Sequence, residues 1–370
     1  MVNILHVTYD MRIGGTEMVI KNIVEGCDDT QYRMSIYCIE SPLGPWGEDM
    51  KKAGLKIVNA KRKAGFDLSL IKSLRQYIIK HKIDIVHCHQ YTPWVYGAFG
   101  AAFTKARVLF TEHGRFYPDS TSWKRKIINP ILTLLSSNIT AISKATKQAL
   151  TDFEYIPEKK IQVIYNGIAP VNETEKLRNE LRQSLSIDEG TILLGTVARF
   201  DPIKNHTMMI EAFDLVKQKF KNVKLVIIGD GEERANIESL IDTLSLNNDV
   251  ILTGYKQDAA RYIQAMDLFL LSSLSEGTSM TLLESLSLGV PCIVTDAGGN
   301  AEIIKHKEVG LVTLNNDKKS FSEAILVILS SPSMYQLMKN NCRPYFNENF
   351  HANRMNNQYS LAYDKLKNHG

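Results

Sequence analysis

Cysteine is scarce in this chain, and what there is does not pair. Cys27, Cys38, Cys88, Cys292 and Cys342 are scattered, odd in number and without a C-x-x-C spacing. That excludes a disulfide or zinc framework and points to reduced thiols in a cytoplasm. No uninterrupted apolar run approaches the ~20 residues that a membrane-spanning helix needs. The opening "MVNILHVTYD" has neither a basic stretch nor a small-residue cleavage site, so it reads as a first strand and not as a leader. No solenoid repeat or low-complexity tract is present. No G-x-G-x-x-G fingerprint follows the first strand, which counts against a nicotinamide-binding oxidoreductase. No acidic cluster follows any strand of the first half either, so no divalent cation and no other cofactor is expected.

What is present suits two domains. A chain of 370 residues, 44% hydrophobic and 23% charged, is too long for one ordinary globular core. The net charge of +4 hides an asymmetry: residues 1–166 hold 23 Lys+Arg against 15 Asp+Glu, the remainder 21 against 25. Lys51 to Lys82 contains ten basic residues and a single acid, Asp67. This run is either a solvated helical face or a surface drawn to anionic lipid. Nucleic acid is not expected as a partner, because the acidic second half would oppose a wrapped polyanion and no binding motif occurs.

Short β-branched apolar runs alternate with amphipathic helical patterns from end to end. Six runs ("NILHVT" to "NITAIS") fall in the first half and six ("ILLGTVA" to "GLVT") in the second. Continuous apolar strands separated by helices predict parallel sheets buried on both faces. Twelve strands divide into two doubly wound sets of six, with a polar linker near residues 167–190. The expected domains are 1–168, 169–345, and a terminal helix over 346–370.

In such sheets ligands bind beyond the carboxyl ends of the strands, so residues there carry the information. Gly14 and Gly15 open a helix after the first strand, where backbone N–H groups suit an anion. His87 and His89 share one strand face, but no third metal ligand is near them at helical spacing. His113, after "VLFTE", is the better polar contact; its neighbour Arg115 lies close by in sequence. In the second half Arg199 and Lys204 follow "GTVA", a planar fork and a point charge suited to a diphosphate. Gly229 ends "VIIGDG", and Tyr255 with Lys256 forms a turn that can flank a planar base. Finally "SEGTSMTLLESLSLGVP" places Glu276 in a turn with Gly277, and Thr278 or Ser279 as the cap of a helix running to about Leu288. Met280 opens that helix and Glu284 lies in its second turn. Alone, two glutamates eight apart are ordinary surface chemistry. With Arg199 and Lys204 they fit one carboxylate on a sugar and one on a ribose, with a helix mouth at the diphosphate between them.

These motifs together resemble glycosyltransferase family 4, retaining enzymes of the GT-B fold. The resemblance spans nearly the whole chain and is most specific from Glu276 to Glu302, where the E-x7-E pair precedes "GVPCIVTDAGGNAEII". It implies two Rossmann-like α/β domains facing a cleft, with a C-terminal helix crossing back onto the first. It also implies that Arg199 and Lys204 hold the donor diphosphate, Glu276 touches the transferred sugar and Glu284 the ribose. The Gly15 backbone would approach the phosphates, and His113 would face the sugar. Members often carry Phe-Gly where this chain has Thr278 and Ser279, a departure that bears on sugar preference.

The expected reaction moves a hexose or N-acetylhexosamine from a nucleotide diphosphate sugar, UDP-linked, to a saccharide acceptor in cell-surface polysaccharide synthesis. No inverting base stands out, so the leaving diphosphate would take the acceptor proton. A GT-B nucleotide-sugar epimerase and a non-catalytic sugar-binding protein are the alternatives. "SWKRKIINPILTLL" sets three basic residues beside an apolar run. It fits either a core helix with a basic start or a lipid-linked acceptor at the inner face of the cytoplasmic membrane.

Overall fold

A computed structural model describes residues 1–114 and 119–368, so Arg115 lies outside the described residues. The chain folds as two compact units: Met1–Gly167 with Ala352–Gly370, and Ile168–His351.

The first unit runs β1 (Val2–Thr8), α1 (Gly15–Gly26), β2 (Tyr32–Cys38), α2 (Pro45–Lys52), β3 (Lys56–Asn59) and α3 (Leu68–Lys80). It continues with β4 (Ile85–His89), α4 (Tyr91–Ala101), β5 (Arg107–Glu112), α5 (Trp123–Leu135), β6 (Asn138–Ala141), α6 (Lys144–Glu154) and β7 (Ile161–Val163). The second unit holds α7 (Glu175–Ser184), β8 (Ile192–Val197), α8 (His206–Lys219), β9 (Val223–Ile228), α9 (Arg234–Thr243), β10 (Val250–Gly254) and α10 (Ala259–Ile263). Then come β11 (Leu268–Leu271), α11 (Met280–Ser287), β12 (Cys292–Thr295), α12 (Asn300–Ile303), β13 (Gly310–Thr313), α13 (Lys318–Leu329) and α14 (Pro332–Asn349). The last helix, α15 (Ala352–Asn368), belongs to the first unit.

Both sheets are wholly parallel. Their orders are β3-β2-β1-β4-β5-β6-β7 and β10-β9-β8-β11-β12-β13. Each therefore reverses direction once, between β1 and β4 and between β8 and β11, and a doubly wound sheet binds ligands at that point. The described residues hold thirteen strands, not twelve. The thirteenth, β7, is three residues long, runs into "IYNG" and pairs with β6 at the sheet edge, too short for a periodic signal of its own.

Helices cover both faces because the strands are apolar on both, as in β9, where four consecutive residues are buried. On one face of the first sheet α3 packs against α4, and α4 against α5. Gly97 and Gly100 of α4 allow this closeness, since a Cβ at Gly97 would meet Cys88 and one at Gly100 would meet Leu74. α15 lies against α1, where the Asn356 side-chain amide donates to the Asn22 carbonyl at 3.1 Å.

Two sequence expectations need correction. The polar stretch 167–190 is not a plain linker, because its helix α7 is bolted to the second unit. Arg178 and Arg182 both grip Asp267, at 2.6 and 3.2 Å, and that carboxylate also accepts from the Leu193 N–H. The expected terminal helix over 346–370 is likewise not continuous: its first residues end α14, and the chain breaks at Phe350–His351 before α15.

Candidate active site

The second unit's reversal point gathers residues 72 positions apart in sequence. After β8 the chain passes Arg199 and Phe200 to Asp201, whose carboxylate accepts from the Ile203 N–H at 3.0 Å and sets a single 3-10 turn, Pro202–Lys204. After β11 it passes Ser272 and Ser273 to Glu276. The two turns are stitched together: Leu274 N–H donates to the Ile203 carbonyl, and Ser272 Oγ to the Lys204 carbonyl, both at 2.8 Å. Across this seam Lys204 Nζ meets Glu276 Oε1 at 2.6 Å, and Ser273 Oγ donates to the same oxygen at 2.6 Å. The lysine side chain is 25% exposed and the glutamate 10%, so the pair is only partly screened by water. Arg199 differs. It pairs with Asp201 while 74% of its side chain stays exposed, leaving the guanidinium open to an anion.

Glu276 is held by its backbone as well. Its carbonyl accepts from Gly299 N–H at 3.0 Å. Gly298, at φ +56°, packs so closely on that carbonyl that a Cβ there has no room. The Gly-Gly turn after β12 therefore fixes the carboxylate's base. Met280 starts α11, Thr278 is buried, and Gly277 completes the turn. Ser279 occupies the N-cap position, but its hydroxyl bonds to Thr281 Oγ1 at 3.0 Å and makes no cap bond. Neither expected residue is thus shown capping the helix through its side chain, and the helix stops at Ser287, one residue early.

Glu284, two turns along, is treated quite differently. It is 8% exposed, and burial alone raises its carboxyl from 4.5 to about 7. Glu276 is thus compensated by a cation, whereas among the described residues no side chain pairs with Glu284.

Gly229 and its neighbour Gly231 have packing roles that need no ligand. At φ +148° and +158° their missing Cβ atoms leave room for the Ala198 and Phe200 carbonyls. Phe200 N–H donates to the Asp230 carbonyl at 2.9 Å, so this turn braces the Arg199 turn. Gly229 N–H also donates to the Gly254 carbonyl at 3.1 Å, which places the Tyr255–Lys256 turn beside it. Tyr255 is 64% exposed, and Lys256 lies over the Tyr262 ring.

In the first unit Gly14 is the N-cap of α1 and Gly15 its first residue. Gly14 has an extended backbone at φ −170°, which any residue adopts. The histidines form an unexpected array. His6 on β1 lies in register with His87 on β4, and supplies the third imidazole that sequence spacing did not reveal. His6 Nδ1 bonds to His89 Nε2, and His89 Nδ1 to His113 Nε2, each at 2.9 Å. His87 uses both nitrogens elsewhere, on Tyr363 OH and Thr111 Oγ1 at 2.8 Å. Burial holds His6 and His113 down at about 3, and His87 and His89 well below the usual imidazole range. A metal ion would have to break these bonds, so the donor set fits a neutral hydrogen-bonded chain better. Each neutral ring has one N–H and one lone pair, so the protons along His6–His89–His113 point all one way or all the other. His113 Nδ1, buried and unpartnered among the described residues, is accordingly a donor in one arrangement and an acceptor in the other.

Two doubly wound parallel sheets, the second with a lysine–glutamate pair and an open arginine at its reversal point, define a two-domain transferase of the GT-B architecture. The family described as Glycosyltransferase Family 4 matches residues 13–171, and that described as Glycosyl transferases group 1 matches residues 178–344. The chain belongs to glycosyltransferase family 4. Among its relatives is the UDP-Gal:alpha-D-GlcNAc-diphosphoundecaprenol alpha-1,3-galactosyltransferase of Escherichia coli, 26% identical over 362 residues, 92% of this chain and 91% of that one. Another is the N-acetyl-alpha-D-glucosaminyl L-malate synthase of Bacillus anthracis, 26% identical over 82% of this chain and 80% of the other. Among solved structures, Anabaena HepE in complex with UDP superposes with a TM-score of 0.86 at 19% identity, covering 98% of this chain and all of the other. At that identity the likeness shows the fold.

Sequence reasoning missed Ser273, Gly298 and His6. The "SS" after β11 and the "GG" after β12 were visible signals; nothing in the sequence marked His6.

Proposed function

We propose that this glycosyltransferase is a retaining enzyme that moves a hexose or N-acetylhexosamine from a UDP-sugar to a lipid-linked saccharide in cell-surface polysaccharide synthesis, without a divalent cation. The observation that carries the reading is the Lys204–Glu276 pair at the reversal point, with Glu284 buried in the second turn of α11. In this reading Arg199 and Lys204 hold the diphosphate, Glu276 a hydroxyl of the transferred sugar, and Glu284 the ribose diol. Tyr255 and Lys256 flank the base, Gly229 shapes the turn beside it, and the segment Gly277 to Met280 lines the helix mouth. Gly14 and Gly15 lend backbone to the phosphates, and His113 offers Nδ1 to a substrate hydroxyl. The bond from the anomeric carbon to the diphosphate breaks while its bond to the acceptor oxygen forms. The acceptor's proton passes to the departing phosphate oxygen, whose growing charge the two cations stabilise in place of a metal. The relatives support the donor and acceptor classes: one is described as using UDP-Gal on a diphosphoundecaprenol-linked sugar. Such an acceptor places the enzyme at the inner face of the cytoplasmic membrane.

A panel of UDP-sugars with a lipid-diphosphate-linked saccharide, with and without chelator, tests this. A product with the donor's anomeric configuration, formed equally in chelator, is expected. An inverted linkage refutes retention. Activity lost in chelator and restored by magnesium or manganese refutes the metal-free step. Conversion of donor alone marks an epimerase, and donor binding without turnover marks a sugar-binding protein.

A further inference from the structure

Helix α5 has two faces with different jobs. Its inner face is fixed in the first unit: Asn129 and Leu132 are fully buried, and Thr133 nearly so. Arg125 pairs with Glu154 at 2.7 Å, and Asn129 donates to that carboxylate at 2.7 Å. The opposite face carries Trp123 (71% exposed), Ile127 (57%), Ile131 (45%) and Leu134 (81%). At ~100° per residue these four fall within one quarter-turn of the helix, diametrically across from Leu132 and Arg125. Pro130 sits among them, also exposed. The apolar stripe thus runs the helix's full length, about 20 Å. No core residue needs it.

Charge identifies what covers it. Exposed Lys124 and Lys126 border the stripe on its two sides, and the helix carries no acid. In the same helical layer α3 exposes Lys72 and Lys80 from the basic run. Helix α5 of a second copy meeting this face would bring lysines and no carboxylate to pair with them. An anionic bilayer supplies both an apolar interior for the stripe and phosphates for its borders.

We propose that α5 is a membrane-docking helix, lying in the plane of an anionic phospholipid surface with Trp123, Ile127, Ile131 and Leu134 inserted and Lys124 and Lys126 at the headgroups. The physiological purpose rests on the lipid-linked acceptor proposed above; the docking itself does not.

Flotation with vesicles of phosphatidylcholine, alone or mixed three to one with phosphatidylglycerol, needs neither donor nor acceptor. Partition onto the mixed vesicles should be roughly thirtyfold tighter, as two lysines at an anionic surface supply. That preference should fade in high salt. Ile127→Glu with Leu134→Glu should weaken partition at least tenfold, roughly, while leaving melting temperature and transfer to a water-soluble acceptor unchanged. Lys124→Glu with Lys126→Glu, a second variant on exposed positions, should abolish the preference for phosphatidylglycerol. Trp123 emission should shift to the blue and be quenched by brominated acyl chains, and Trp123→Phe should remove that signal but keep binding. Partition indifferent to both double variants overturns the proposal. So does self-association in sedimentation that Ile127→Glu with Leu134→Glu abolishes, since the face would then bind a second copy. Failure of transfer with every UDP-sugar, with vesicle binding intact, would refute the reaction and leave the docking helix standing.

Discussion

Replacing Glu284 by Gln should make the protein more stable and a worse binder of nucleotide, and the stability gain should depend on pH in a calculable way. Burial raises the Glu284 carboxyl from 4.5 to about 7, so the native state holds a proton that the unfolded state has released. Stability therefore falls as pH rises: the penalty is absent below the unfolded value, grows between the two, and is complete above the folded one. At pH 8 it amounts to about 3 kcal/mol, and at pH 5 to under about 1 kcal/mol. Gln cannot ionise and escapes it. Denaturant titrations of both proteins at the two pH values measure the difference directly. UDP should reverse the ranking, because a ribose diol donating to the carboxylate favours its charged form. Losing that charged contact should weaken UDP by about 1.5 to 3 kcal/mol, roughly ten- to a hundredfold. For the same reason wild-type affinity for UDP should rise from pH 6 to 8, and the variant's should not. A stability gain equal at pH 5 and pH 8 would refute the electrostatic origin. Unchanged UDP affinity in the variant would refute the ribose contact.

Glu276→Gln should leave UDP affinity nearly unchanged yet slow transfer, because the sugar it serves is absent from UDP; calorimetry beside initial rates reads both, and equal loss of UDP affinity with Glu284→Gln would end the division of labour. Arg199→Ala and Lys204→Ala should each lower turnover by roughly a hundredfold or more. They should differ in stability, since Lys204→Ala strands the half-buried Glu276 and should cost about 1 to 3 kcal/mol, whereas exposed Arg199→Ala should cost little. His89→Phe removes the partner of both His6 Nδ1 and His113 Nε2 and should destabilise by about 2 to 4 kcal/mol in a melt. An unchanged melting midpoint in that variant would mean the imidazole chain is not formed.

The sites that sequence made legible are those where one residue type in one turn carries the signal. Arg199, Lys204 and Glu276 could be read because each follows a buried strand, and strand ends are where doubly wound sheets bind. Their pairing could not be read, because it depends on β8 and β11 being neighbours although β9 and β10 intervene in sequence. The same holds for His6, which reaches His87 only because β1 lies beside β4. Helix α7 was hidden for a different reason. Its apolar signal is thin: Leu177, Leu181 and Leu185 recur every four residues but stay only half-buried, and the arginines that hold it to Asp267 read in sequence as ordinary surface charge. Nor could sequence separate the two glutamates. Each stands near hydroxyl residues, and only packing shows that one meets a lysine while the other is enclosed.

That contrast bears on how the proposed transfer would draw on the site. Lys204 and Glu276 are already paired, so their mutual desolvation is met by folding and not by substrate. As the glycosyl bond breaks, negative charge grows on the diphosphate and positive charge on the sugar ring. A lysine drawn toward the phosphate uncovers the glutamate beside it, and the uncovered carboxylate stabilises the positive ring. In the proposed transfer one ion pair would thereby answer both halves of the charge separation, each member exchanging its partner for the charge that develops in the transition state. Ser273, bonded to the same carboxylate oxygen at 2.6 Å, holds Glu276 in place while the lysine leaves. Glu284 takes no part in that exchange. In the proposed reading its burial, unpaired among the described residues, would be relieved when a ribose arrives, so its contribution would fall on binding and be complete before the bond begins to break.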